Sequence, residues 1–432
     1  MRPWRRRRIR YSQQGWLQQE MVTSTQSPAA AEWELLRLCA APQCDLARIH
    51  ELVQHATGGP AFLARAREHG VLPLLARALH EAAALADLSP EVRQSLLQSR
   101  RAHLLFTLFM SAELFLLSGR FAAEGIESVA VKGPVLAAQA FGDASLRQYS
   151  DLDFLVHHRD LLRAARIMQD CGFASEIPLA TAAAGKIPGQ FLFLRERTHT
   201  IVELHTERTL RYFPRPLPLD SFFARRTSIA LDGRGVLALS PEDTLVFLCV
   251  HGSKHFWDRL MWIADVAGLL ARQPALDWAR VFAVARATRT ERMLHLGLRL
   301  AGDVLAAELP PAVAAEVRAD AVAGRLAAEI CGHLPCAEQA PRGAPQRARI
   351  RMQMCGGAFR STRYLLRLAF TPTEEDWAAP QRKKIAGWLG PLLRPLRLAR
   401  KYRVLRGPQN TPAPEQASRA GASSPKTKKA RA

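Results

Sequence analysis

The segment Ser150-Asp-Leu-Asp-Phe-Leu-Val156 leaves the chain few architectures to choose from. Read as a strand, it points Leu152, Phe154 and Val156 into a core. Asp151 and Asp153 then project together from the other face, about 7 Å apart at the backbone. Two carboxylates at the entry of an otherwise apolar strand repel each other and lose hydration, so the arrangement calls for a cation on the acidic side. A hard ion such as Mg²⁺ suits it, taking carboxylate oxygens together with phosphate and water. A solvated acidic pair at an exposed sheet edge is the competing reading, and only the surrounding residues separate the two.

Those surroundings favour the cation. On the strand predicted over Thr200–Thr206, Ile201, Glu203 and His205 share one face and Val202 and Leu204 the other, so Glu203 supplies a third carboxylate. Two or three carboxylates holding two ions about 4 Å apart is the arrangement used for phosphoryl and nucleotidyl transfer. Upstream, Val131-Lys-Gly-Pro134 closes a short apolar run. Gly133 lets backbone approach a phosphate there and Lys132 neutralises one. Arg147, four residues before Asp151, is a further phosphate candidate, with an ion pair to Asp151 or Asp153 as the alternative.

At 432 residues and 48% apolar content, the chain can bury two or three packed units. From Glu32 to Leu117 apolar residues recur at spacings of three and four, which predicts helices. Strands are predicted at Val129–Val131, Leu152–Val156, Phe191–Arg195 and Thr200–Thr206, with helices over Val135–Phe141 and Leu161–Asp170. After Gly233–Gly235 helical periodicity returns, opened by Ser240-Pro-Glu-Asp243, and runs to about Phe370 with a loop at Cys336–Arg347. The expected fold class is α+β, a small mixed sheet between two helical regions. The divisions are a basic extension 1–20, a helical region 21–120, an α/β core 121–235, a helical region 236–377 and a basic tail 378–432, disordered after about 408.

The net charge of +21 suggests a polyanion partner until it is divided by region. Residues 1–20 carry +5 and residues 378–432 carry +13, which leaves only +3 on the 357 residues between them. The ends could touch an anionic surface weakly; they specify no nucleic acid and no chemistry. Within the tail, Pro391 and Pro395 interrupt any amphipathic helix. The basic start lacks the apolar stretch of an export signal, and Met21 is a candidate second start. His103–Leu117, the most apolar segment, contains Glu113 and is flanked by Arg100, Arg101 and Arg120, so it is predicted to be a buried helix rather than a membrane span. Seven scattered cysteines, with two pairs five apart, miss the usual zinc spacing and read as reduced thiols of a cytoplasmic protein.

The block Lys132-Gly-Pro134, Arg147, Ser150-Asp-Leu-Asp-Phe-Leu-Val156 and Val202-Glu-Leu-His205 resembles the uncharacterised bacterial nucleotidyltransferase family of the DNA polymerase β-like superfamily. The likeness extends to Phe62–Leu75, Leu239–Leu245, His251-Gly-Ser-Lys-His255 and Leu260–Asp265, and spans roughly residues 32 to 377. It implies a catalytic, metal-holding triad of Asp151, Asp153 and Glu203, with two Mg²⁺ ions, or Mn²⁺, and an NTP substrate. Lys132, Gly133, Arg147, Ser150, Lys254 and His255 are the implied nucleotide and phosphate ligands. Two departures stand out: Pro134 replaces the Gly or Ser that follows the glycine in the wider superfamily and has no N–H to offer, and Glu203 stands where Asp is more usual. His251, Lys254, His255 and Asp258 share a predicted helix face; it either lines the substrate pocket or packs under the core with Asp265 as partner. Trp257 and Trp262 read as core residues rather than base-stacking ones.

The activity expected is transfer of an NMP group from an NTP to an unidentified acceptor, with Asp153→Ala abolishing it while leaving the fold stable. The alternatives are a metal-dependent glycosyltransferase, whose D-x-D holds a nucleotide sugar, and a non-catalytic accessory protein of the same fold. Nucleic-acid binding through the basic ends would show as steep salt dependence.

Overall fold

The computed structural model describes residues 28–55, 59–175, 190–206, 219–336 and 342–356, with Pro214, Thr362, Leu366 and Phe370 as isolated positions. The basic ends, the segment 176–189 and most of the tail therefore lie outside the described residues. Six strands form one mixed sheet: β1 (Ser128–Ala130), β2 (Asp151–Val156), β3 (Gln190–Arg195), β4 (Thr200–His205), β5 (Thr227–Leu231) and β6 (Arg234–Ala238), in the order β3-β4-β2-β1-β6-β5. β2 runs parallel to β4 and β1 parallel to β6, while the pairs β1–β2, β3–β4 and β5–β6 are antiparallel. The α+β class holds.

Strand alternation divides the core in two. Leu152, Phe154 and Val156 join Val202, Leu204, Phe191, Phe193, Val236 and Ala238 on one face. There they pack with Met110, Leu114, Leu117 and Phe121 of the helix Pro90–Ala123 and with Leu161, Ala164 and Met168 of the helix Leu161–Asp170. The opposite face carries Val129 and Leu155, which enter a larger cluster. In that cluster the N-terminal helices (Leu35, Ile49, Phe62, Leu75) and the C-terminal ones (Leu248, Trp257, Ile263, Leu298) share one core. The helical regions flank the sheet in sequence but meet in space.

Two expectations need correction. The chain from Thr227 to Ala238 is a β-hairpin, turning at Asp232-Gly233, where Asp232 (φ 48°) and Gly233 (φ 77°) are both left-handed. Asp-Gly between alternating residues is the two-residue hairpin signal, and the short strands hid it. The segment His103–Leu117 is helical but only half buried: Leu104, Leu105, Leu108 and Leu116 face outward. By length and composition the helix Pro90–Ala123 is apolar enough to cross a membrane, yet its other face is core.

Ser240 caps the helix Pro241–Lys254 as its sequence predicts, accepting from the Asp243 N–H at 3.2 Å. That helix leads through Phe256 and Trp257, both left-handed, into the helix Leu260–Arg272. Trp257 is fully buried and fills the space beside Gly252 and Gly297 that a Cβ would occupy, in line with its reading as core.

Candidate active site

Parallel pairing puts Asp153 beside Glu203 and Asp151 beside Ile201, with their side chains away from the apolar face. Strand pairing continues one residue past β1, where the Val131 N–H donates to the Asp153 carbonyl at 3.1 Å. The chain then turns at Gly133 (φ 61°) into the helix Gly133–Phe141. A Cβ on Gly133 would stand 3.4 Å from the Asp151 carbonyl oxygen, an ordinary contact, so it is the left-handed φ that suits this corner to glycine. This corner delivers Lys132, whose Nζ donates to Asp153 Oδ1 at 2.7 Å.

His205 completes the cluster. Its Nε2 lies 2.8 Å from Asp153 Oδ1 and 3.1 Å from Glu203 Oε2, and Gln190 Nε2 donates to Glu203 Oε2 at 2.7 Å. Potential ligand atoms of Asp153, Glu203 and His205 all lie within 4.8 Å of one another. Asp153 is wholly enclosed, yet its Oδ2 has no hydrogen-bond donor. A buried carboxylate oxygen without a donor is costly unless a cation or ligand engages it. The residues therefore fit a divalent ion, with two carboxylates and one imidazole as the nearest donors and Asp151 on the same face.

The electrostatics follow from this crowding. Burial, and then the neighbouring Asp153, pushes the Asp151 carboxyl up to about 6. Burial acts the same way on Asp153, but Lys132 and His205 outweigh it and hold that carboxyl well below its usual range. Burial works against the charge on Lys132 and on His205. Asp153 and Asp151 more than offset it at the lysine, and hydrogen bonds that the imidazole donates to Asp153 and Glu203 do so at His205, so both are raised.

The remaining sequence-selected residues are placed differently. Arg147 is buried and forms a two-pronged ion pair with Asp265, Nε to Oδ1 at 2.8 Å and Nη2 to Oδ2 at 3.0 Å. Asp265 thus pairs with Arg147 rather than with the His251 face, and neither Asp151 nor Asp153 is the direct partner of the guanidinium. Ser150 is exposed just ahead of β2. His255 caps the helix Pro241–Lys254, stacks on Trp262 at 4.8 Å and meets the His251 ring at 4.7 Å. Burial first, then Lys254 and Lys132, lowers His255 to about 3, and burial, then Lys132, lowers His251 well below the usual histidine value. Lys254 is the last residue of that helix, and Asp258 pairs with Arg342 instead of joining the face.

Enclosure of Asp153 also revises an expectation. Asp153→Ala would leave Lys132 and His205 beside each other without their shared counter-ion, which costs about 3–5 kcal/mol. The fold is therefore not indifferent to that change, and Asp153→Asn is the cleaner probe. His205 is the candidate ligand that sequence reasoning missed. Its signal was present, since it shares a strand face with Glu203.

A solved structure, an antigenic nucleotidyltransferase-like protein from Paracoccidioides brasiliensis, is similar at 14% identity over 46% of this chain and 92% of that one, with a TM-score of 0.28. No curated protein matches. Residues 56–306, more than half of the chain and including every member of the cluster, match the family described as uncharacterised nucleotidyltransferase. The chain belongs to that uncharacterised nucleotidyltransferase family.

Proposed function

We propose that the protein transfers a nucleoside monophosphate group from an NTP to an acceptor hydroxyl and releases pyrophosphate. The observation that carries this reading is Asp153: an enclosed carboxylate with one oxygen lacking a donor, within ligand reach of Glu203 and His205. Membership of the nucleotidyltransferase family supports the same class of reaction.

Asp153, Glu203 and His205, with Asp151 beside them, would hold the divalent ion. Mg²⁺ or Mn²⁺ bound there would neutralise triphosphate charge and acidify the acceptor hydroxyl. The imidazole in the donor set leans towards Mn²⁺, since Mg²⁺ prefers oxygen ligands alone. Lys132 holds Asp153 Oδ1, which leaves Oδ2 as the oxygen offered to the site, and His205 Nε2 would give up its hydrogen bond to Oδ1 on engaging the ion. In the reaction the acceptor oxygen forms a bond to the α-phosphorus, the bond from that phosphorus to the bridging oxygen breaks, and pyrophosphate departs with the electron pair. Glu203 takes the acceptor proton. The first N–H groups of the helix Gly133–Phe141 would be offered to phosphate, Pro134 contributing none.

Mass spectrometry of the protein incubated with each NTP, Mg²⁺ or Mn²⁺ and a cell extract tests this. Wild type should yield a nucleotidyl adduct and pyrophosphate, and Asp153→Asn or Glu203→Gln should cut the rate on the order of a thousandfold. Unchanged turnover in Asp153→Asn would remove the assignment. Adducts from a nucleotide sugar instead would point to glycosyl transfer, and failure of any nucleotide to bind would point to a non-catalytic module.

A further inference from the structure

The helix Pro90–Ala123 has a face that neither core uses. Leu97, Leu104, Leu105, Leu108 and Leu116 are all large and exposed, from 44% at Leu97 to 59% at Leu105. At 100° per residue they lie on one side, together with the exposed Ala112 and Gly119. From Leu104 to Gly119, roughly 24 Å of helix, that side carries no charged residue. Glu113 falls within the same stretch but is turned inward, where Arg195 pairs with it. An apolar strip of this length is larger than the scattered surface leucines of an ordinary protein.

The strip is bracketed by cations. Arg100 and Arg101 are exposed at one end and Arg120 at the other, and the Arg234 guanidinium lies 5.0 Å from the Phe115 ring at its side. The helix's own acidic end residues, Glu91 and Glu124, stand beyond these arginines. The two basic ends of the chain add +5 and +13 of the same sign.

We propose that this face is an interfacial docking surface for an anionic lipid membrane. Leucines flanked by arginines match such a surface in both respects, the side chains entering the headgroup boundary while the guanidinium groups meet lipid phosphate. Two features select this occupant. A second copy packed antiparallel across the strip would set Arg100 and Arg101 against Arg120 of its partner, like charge against like. The helix also cannot cross the bilayer while Met110, Leu114, Leu117 and Phe121 remain in the sheet core, so it lies in the plane of the interface. The carboxylate cluster is on the opposite face of the sheet. The surface is independent of the proposed chemistry.

Vesicle co-sedimentation of the full chain tests the proposal. Vesicles of phosphatidylcholine with roughly one part in three phosphatidylglycerol should bind it at least about tenfold more tightly than phosphatidylcholine alone. The double variant Leu105→Asp, Leu108→Asp should lose most of that binding with unchanged circular dichroism and melting temperature, since both side chains are exposed. The proposal is overturned if wild type ignores the anionic vesicles. It is equally overturned if the double variant binds them as wild type does, which would assign binding to the basic ends alone. A wild-type dimer that the leucine variant dissolves, without lipid binding, would assign the strip to a second copy.

Discussion

The Arg147 guanidinium and the Asp265 carboxylate are both out of solvent, and each is the other's nearest charged compensation for lost hydration among the described residues. Removing one partner should therefore cost about 3–5 kcal/mol, as the other charge is left buried and unpaired. We expect Arg147→Met to lower the urea midpoint sharply and Arg147→Met combined with Asp265→Leu to restore most of it. If Arg147 also touches nucleotide, the double variant regains stability but not NTP affinity, which separates the two roles in one equilibrium titration. A double variant as unstable as the single would show that the pair is not what holds the residues there. At Asp153 the balance is different: among the described residues three carboxyl groups share Lys132 and His205 as their nearest cations.

Between elements, His69 is a joint. Following the helix Pro60–Glu68, its Nδ1 accepts from the Leu260 N–H at 3.3 Å and its carbonyl accepts from the Met261 N–H at 3.0 Å. It thereby ties an N-terminal helix to the start of the helix Leu260–Arg272. Accepting at Nδ1 requires that nitrogen to be unprotonated, and burial, with Arg65 and Arg259 nearby, lowers its pKa to about 4. The unfolded chain then binds a proton below about pH 6.5 that the folded chain refuses. Stability should be complete above that pH and fall by up to about 3 kcal/mol as pH drops from 6.5 to 4, with no further loss from this group below. Denaturation midpoints measured across that window should show the slope, and His69→Asn should flatten it. An unaltered slope in His69→Asn would shift the effect to other groups such as His251 and His255. Local elements were mostly legible: β2, β4 and the helices Gly133–Phe141 and Leu161–Asp170 stand where alternation and Gly or Pro punctuation put them. The Thr227–Ala238 hairpin was not, because five-residue strands with a half-exposed face carry too short a pattern to compete with the helical one that follows.

Across the whole molecule, the larger core joins residues as distant as Leu35 and Ile330. The N-terminal helices thus bury their apolar faces against helices made more than 200 residues later, including Arg37, whose Nε donates to the Val304 carbonyl at 2.9 Å. A fragment ending at Leu239 would expose that cluster. It should give weak far-UV ellipticity and no cooperative melt, while the full chain unfolds with coincident fluorescence and dichroism transitions. A fragment that melts cooperatively would show that the sheet and N-terminal helices stand alone.

What the sequence by itself determined is the local chemistry: an apolar strand with two acids on one side, a third carboxylate on a similar strand, and a lysine-glycine corner ahead of a helix. These are readable because strand and helix periods are properties of neighbouring residues. Tertiary structure alone decided which of them meet. Arg147 finds Asp265 118 residues away, Lys132 and His205 converge on a single oxygen of Asp153, and an apolar helix keeps one side outside every core. No local period encodes such pairings. They are settled when burial leaves each charge a single place to be compensated and each apolar face a limited set of surfaces to cover.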